Sequence, residues 1–412
     1  MTTTTDAAGA TDPPAEPPTD EAPRPSRGGV VDWLVDVGNS LLIPALALIT
    51  ALVVGGLVII FSDPDVLDEW GSFFGDPTGA LQASWNAVFD AYEALWRSSL
   101  GSASGIGRTL VEATPLALAG LSVAFAFRAG LFNIGAAGQL VIGATCAGWV
   151  GFTWDLATPL HITVAVLAGF LGGAAWGGIA GVLKARTGAH EVITTIMLNY
   201  ISYQLLNYAL RSDAFQPAGR DDLISRAVAE SARLPEVSFG DVTVHAGLFI
   251  ALAAAVIIWW LLERSTVGFQ LRTVGANPHA AAYAGMSVAA MYVLAMVVAG
   301  GLAGLAGTVN ILGRPSFSLT GGYYAFIGFD AIAVALLARA NPIGVLGAAF
   351  LFGVLRAGST GMQAATSTPV DIIVVIQALI ILFVAAPALV RSIYHIKAGR
   401  GTSQTFTTSW GA

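Results

Sequence analysis

The sequence predicts an all-α, polytopic membrane protein, and three observations carry that prediction. Of 412 residues, 55% are hydrophobic and only 11% charged, whereas a soluble globular chain carries roughly a quarter charged residues. Mean hydropathy is +0.71. The 48 glycines and 10 tryptophans suit closely packed transmembrane helices with small-residue contacts and aromatic anchors at the membrane surfaces.

The same composition excludes other classes. A net charge of -7, with only Lys184 and Lys397 as lysines, offers no basic surface to nucleic acid. The single cysteine, Cys146, forbids an intrachain disulfide and a thiolate zinc cluster. Neither lysine follows a glycine, so a phosphate-cradling Gly-Lys-Ser/Thr loop is absent, and any ATP used must bind another subunit. His190-Glu191 begins a zinc-protease pattern, but Thr194 stands where its second histidine belongs. No GxSxG elbow supports a serine hydrolase either. The expectation is a chain without catalytic residues, metal or cofactor of its own.

Along the chain, residues 1–28 are acidic and rich in Thr, Ala and Pro, with six prolines from Pro13 to Pro25. They read as a disordered cytoplasmic tail. The first apolar run starts about 40 residues in and is too long for the core of a cleaved signal, so it reads as a retained anchor. Spanning a hydrocarbon core of roughly 30 Å takes about 20 helical residues. Ten runs approach that length: 41–61, 109–127, 139–152, 162–183, 191–210, 246–262, 287–312, 324–338, 343–360 and 371–390. The third and eighth are short and read as half-spans or re-entrant segments, tolerated only where protein buries their backbone. Together they form a permease domain over 41–390, followed by a cytoplasmic tail at 391–412.

Basic residues set the orientation. With both termini inside, eleven lysines and arginines fall in cytoplasmic segments and seven outside, with Arg356 left within a span. That makes 62–108 and 211–245 external loops and 263–286 cytoplasmic. Within 62–108, Leu81, Trp85, Val88, Phe89, Tyr92, Leu95 and Trp96 recur at helical spacing, as in a helix lying at the outer interface.

Three stretches carry polar chemistry. The first, Gly130-Leu131-Phe132-Asn133-Ile134-Gly135-Ala136-Ala137-Gly138-Gln139, breaks the helical pattern with three glycines. It reads either as a tight capped turn or as a site where backbone, Asn133 and Gln139 offer polar groups to a solute. The fifth span sets Glu191, Thr195, Asn199 and Ser202 on one helical face, with Asn199 about 12 Å along the axis from Glu191. Such a stripe either bonds neighbouring helices or lines a solute path. In the third, Asn277 caps, Pro278 opens and Gly285 ends a short Ala-rich helix that contains Ala281. It is suited either to link two spans or to lie in a groove of another protein. Asp330, near the start of the eighth run, requires a partner or a water path, because an unpaired carboxylate there costs several kcal/mol. Arg339 and Arg314 are the candidate partners.

In order and spacing, GLFNIGAAGQ, EVITTIMLNYI, LRTVGANPHAAAYAGM and FIGFDAIAVALLARANPIGV resemble the permease subunits of bacterial ABC importers. The branch is that of simple-sugar and branched-chain amino-acid permeases. The likeness covers about residues 80–390 and is greatest to its nucleoside subgroup, linked to basic membrane lipoproteins. Ala137 departs from it, since the subgroup often has an acidic or amide residue there. The resemblance implies a multi-pass protein of the cell membrane that translocates a nucleoside or similar small polar solute. It implies as partners a second, paralogous permease, an ABC ATPase holding ATP and Mg, and an external lipid-anchored solute-binding protein. Simple sugars or branched-chain amino acids are the alternative solutes. An ion-coupled secondary transporter, cycling protons on Glu112, Asp330 or Asp371, is the alternative of another class. The candidate path comprises Phe132, Asn133, Gln139, Glu191, Thr195, Asn199, Tyr324, Phe326 and Asp330. Arg272, Gly275, Asn277, Pro278, Ala281 and Gly285 form the candidate ATPase-coupling set.

Overall fold

The structure is a computed structural model that describes residues 30–217, 219–220, 222–321, 325–366, 369 and 371–395. The expected tail at 1–28 and all but the first five residues of the one expected at 391–412 lie outside those residues, as do Tyr323 and Tyr324. Chain contacts separate Met1–Leu42 from a compact unit, Ile43–Ala412, which holds every packing contact described below.

Each of the ten apolar runs is a helix. Seven of the described helices are long and apolar enough to cross a membrane: α1 (Val30–Ser62), α4 (Ala103–Arg128), α5 (Ala136–Thr153), α6 (Thr158–Thr187), α8 (Gly247–Arg264), α11 (Val288–Gly313) and α13 (Pro342–Thr366). The fifth run is α7 (Glu191–Leu210), whose 20 residues include the polar stripe. The third run was expected to be short, yet α5 has 18 residues because the helix starts at Ala136, inside the glycine-rich stretch. The eighth is short: α12 (Ala325–Leu337) has 13 residues, about 20 Å of helix. The last is α14 (Asp371–Ala385), followed by α15 (Pro387–Ile393).

Two expected loops are largely ordered structure. The 62–108 segment folds into α2 (Pro64–Gly71) and α3 (Pro77–Ser99). Asp63 and Asp76 cap these two helices by accepting backbone N–H bonds, each ahead of a proline in the first turn. The inward face of α3 packs on α1 and α13, where the Tyr92 hydroxyl donates to the Leu52 carbonyl and Leu95 lies against Gly358. Leu81, Trp85, Phe89 and Trp96 face outward. The 211–245 segment adds the one exception to an all-α fold among the described residues. A hairpin pairs β1 (Glu236–Phe239) with β2 (Val242–His245) in antiparallel register, Glu236 opposite His245. Gly240, at φ 63, opens the two-residue turn, a position that favours glycine.

At the centre stands α4. Leu116, Leu118, Leu121, Val123 and Phe125 are all fully buried, the pattern of a helix that is apolar all round and enclosed by others. In contrast, α6 turns Leu160, Leu167, Leu171 and Ile179 outward, as a lipid-facing helix does. Its other face meets α11 along Gly169, Gly173 and Gly177 on one side and Gly300 and Gly304 on the other. A Cβ built on Gly304 would lie only 3.0 Å from the Gly173 Cα. Such small-xxx-small faces let two backbones touch.

Helix α4 gives the bundle two distinct ends. Near its start, Gly107 packs against Thr243 of the hairpin. At its finish, the turn after Arg128 packs against Gly275 at the end of α9 (Thr266–Ala276), which leads into α10 (Pro278–Tyr283).

Candidate functional site

The glycine-rich stretch is a true break. The α4 helix stops at Arg128, the backbone turns at Gly130 with φ 74, and α5 begins at Ala136 with no side-chain cap from its own Gly135. A buried helix start leaves several N–H groups in need of partners. Asn133 Oδ1 accepts from the Gly135 N–H at 3.0 Å, and Asn199 Oδ1, across from α7, accepts from the Gly138 N–H at 2.7 Å. Asn199 Nδ2 donates to the Ile134 carbonyl at 3.0 Å. The amides of Asn133 and Gln139 bond each other reciprocally, at 2.9 and 3.1 Å.

The polar stripe of α7 therefore packs onto the break. Thr195 bonds back to the Glu191 carbonyl, and its Cβ would sit 2.9 Å from a Cβ placed on Gly135. Ser202 bonds the Asn199 carbonyl. Asn133, Gln139, Thr195 and Asn199 are all buried. Of the two readings the sequence left open for these stretches, their bonding here is that of a capped turn and of contacts between helices, because the buried α5 N-terminus requires acceptors. Glu191 is tied to Lys184 at 2.9 Å. Phe132 is half-buried and stacks on Phe127, with ring centres 5.0 Å apart.

Beside the break, α12 begins. Gly328 packs directly on Ala137, which leaves no room for the longer side chain common in the resembling subgroup. Asp330 is ion-paired, but with neither expected partner. Arg356 of α13 donates to its Oδ2 at 2.7 Å. Arg314 pairs with Glu112 of α4 instead, and Arg339 sits exposed past the end of α12. Arg356 was readable as a charge inside a span, which requires a partner; its pairing with Asp330 needed the fold. Phe326 is exposed.

The coupling set divides. Asn277 accepts from the Ala280 N–H at 3.0 Å, Pro278 opens α10, and Gly285 follows its end at φ 80, all as the sequence predicts. Ala281, expected on an accessible face, is fully buried in the core, because α10 turns that side toward α9 and α11. Gly275 and Gly130 are in backbone contact, 3.0 Å from a Cβ placed on Gly130 to the Gly275 Cα, which gives Gly275 a packing reason. Arg272 is paired with Glu263 at 2.7 Å. What α10 exposes is His279, Ala280, Ala282 and Tyr283, with Tyr283 at 95%.

At the opposite end, His245 closes the hairpin onto α8. The Gly247 N–H donates to its Nδ1 at 3.1 Å, and burial pushes its pKa down to about 4.

Comparison with known proteins adds identity. The pattern of the branched-chain amino acid transport system permease component matches residues 105–385. The guanosine ABC transporter permease protein NupP of Bacillus subtilis is 38% identical over 360 residues, 86% of this chain and 95% of the relative. The nucleoside ABC transporter permease protein NupB of Lactococcus lactis is 39% identical, covering 77% of this chain and 90% of its own. The glucose ABC transporter permease protein TsgB13 of Haloferax volcanii is 33% identical, over 82% and 86%. No solved structure matches the chain.

Proposed function

The chain belongs to the branched-chain amino acid transport system permease family, and from that premise we propose that it is the permease subunit of an ATP-driven importer carrying a nucleoside into the cytoplasm. It is a multi-pass protein of the cell membrane. The observation that carries the solute class is the likeness, over nearly their full length, to two permeases named for guanosine and nucleosides. Glucose, from the more distant relative, is the second reading.

The geometry supports a division of labour. The path is walled by the 129–139 break and the start of α12, both places where helical backbone stops inside the bundle. The exposed face of α10 docks on a partner ATPase, and the Gly130–Gly275 contact joins that segment to the break. A push on α9 and α10 then reaches the wall of the path through backbone alone. A second permease completes the pore, and a lipid-anchored receptor delivers solute at the hairpin end. An ion-coupled carrier is disfavoured, because Glu112 and Asp330 are each held by an arginine.

The test is uptake in proteoliposomes holding both permeases and the ATPase, with receptor outside and ATP inside. Guanosine, adenosine, glucose and leucine are offered in turn. ATP-dependent nucleoside uptake that survives collapse of the proton and sodium gradients is expected. Uptake driven by a gradient without ATP would overturn the reading.

A further inference from the structure

Four formal charges meet among otherwise apolar helices. Glu112 lies well inside α4, Asp330 inside α12 and Arg356 inside α13, while Arg314 follows α11 directly. Glu112 pairs with Arg314 and Asp330 with Arg356, on helices that pack against one another, α4 with α11, α12 and α13, so the four form one network. Two acids and two bases leave it electrically neutral. That satisfies the bilayer's first demand, since a lone charge at that depth is costly.

The network is not sealed. The side chains of Asp330 and Arg356 each keep 20% of their surface accessible. Lipid cannot solvate that opening. On α12, Phe326 and Phe329 stand 67% and 52% exposed; Phe326 lies one turn before Asp330, and Phe329 and Asp330 are its i+3 and i+4 neighbours, so the three share one side of the helix. The same turn carries Gly328, which abuts Ala137 at the break. One short helix face thus presents two phenyl rings, a carboxylate and its arginine where backbone irregularity already marks the path.

We propose that the α12 face of Phe326, Phe329 and Asp330, backed by Arg356, is the solute-contact site of the path and recognises an uncharged solute with a flat ring and adjacent hydroxyls. This rests on the importer reading above. The rings present π faces to a planar base. The Asp330 carboxyl group accepts from a sugar hydroxyl, while Arg356, bonded to its Oδ2, fixes its orientation. An electroneutral site has no counter-charge for a phosphate, so nucleotides are excluded and nucleosides fit.

The test keeps receptor and ATPase constant and compares wild type with Asp330→Asn, Phe326→Leu and the swap Asp330→Arg/Arg356→Asp. Uptake of guanosine is measured against 2′,3′-dideoxyguanosine and guanosine monophosphate. In Asp330→Asn the amide oxygen can still accept from Arg356, and the amount of the variant in the membrane is measured beside its uptake. Its kcat/KM for guanosine is expected to fall about 10-fold or more, and far less for the dideoxy analogue, because a site built to bond a hydroxyl discriminates by that bond. Phe326→Leu lowers uptake of both nucleosides together. An unchanged guanosine-to-dideoxyguanosine ratio in Asp330→Asn, or full recovery of rate and ratio in the swap, makes the pair a structural clamp and overturns the proposal. The wild-type panel reports separately on the importer reading. Glucose, which has no flat ring, or any solute without adjacent hydroxyls overturns this proposal, while the importer reading is judged by ATP dependence alone.

Discussion

Asn199, itself buried, closes two backbone hydrogen bonds with one amide, accepting from the Gly138 N–H and donating to the Ile134 carbonyl. Leaving a buried polar group without a partner costs about 1–3 kcal/mol. Asn199→Leu is therefore expected to insert normally, to melt several degrees lower in detergent and to transport more slowly, as the break loses its fixed shape. An unchanged melting temperature with normal uptake would show that α5 finds other caps. His245 gives a second expectation at this scale. Its folded pKa of about 4 lies below the ordinary 6.5, so the unfolded hairpin binds more protons than the folded one. Its contribution is complete above pH 6.5 and is lost as pH falls toward 4. Between pH 6.5 and 5 the loss amounts to about 2 kcal/mol. Protection factors of the hairpin amides, taken relative to the intrinsic exchange rate at each pH, should fall over that window as pH is lowered, and His245→Asn, which can still accept from the Gly247 N–H, should flatten the dependence. Equal slopes in the two proteins would clear His245 of the effect.

At the scale of elements, α10 shows what a sequence can and cannot display. Its limits were legible because capping is local chemistry: an Asn side chain reaches three residues ahead, proline fixes φ and glycine takes a left-handed turn. Which side faces inward was not legible, since α9 and α11 decide it. Ala281→Trp is accordingly expected to disrupt the core, with loss of folded protein, because an indole cannot enter a fully buried alanine site without strain of about 1–3 kcal/mol or more. Ala284→Trp and Tyr283→Ala lie on the exposed side. They should leave folding intact and reduce ATPase co-purification and receptor-stimulated hydrolysis. If both retain assembly and stimulation, α10 is a connector. The same division applies to the site: the break and the stripe could be read from spacing, whereas their bonding to each other, and Arg356 as partner to Asp330, depend on which helices the fold makes neighbours.

Across the whole molecule, α4 separates the hairpin from α9 and α10 by a 26-residue helix, about 39 Å. With Arg128, Lys184, Arg186, Arg264 and Arg272 gathered toward the α9–α10 end, we propose, from the positive-inside rule, that this end is cytoplasmic. In a Cys146→Ser background, Asp241→Cys is expected to react with an impermeant maleimide in intact cells and Ala276→Cys only after permeabilisation. Labelling of Ala276→Cys from outside would invert the orientation.

The glycine seam between α6 and α11 has a mechanical consequence. Two backbones in contact over several turns cannot slide or splay without opening a void, so the pair moves as one stiff spar. One end of that spar is fastened by His161 to Ser231, in the segment leading to the hairpin, and the other by Lys184 to Glu191 at the start of α7. Torque applied at one membrane face is thereby delivered to the other with little lost in bending. The short helix α12 lies outside that seam, resting on α4 and α5, and is not held by the same backbone contact.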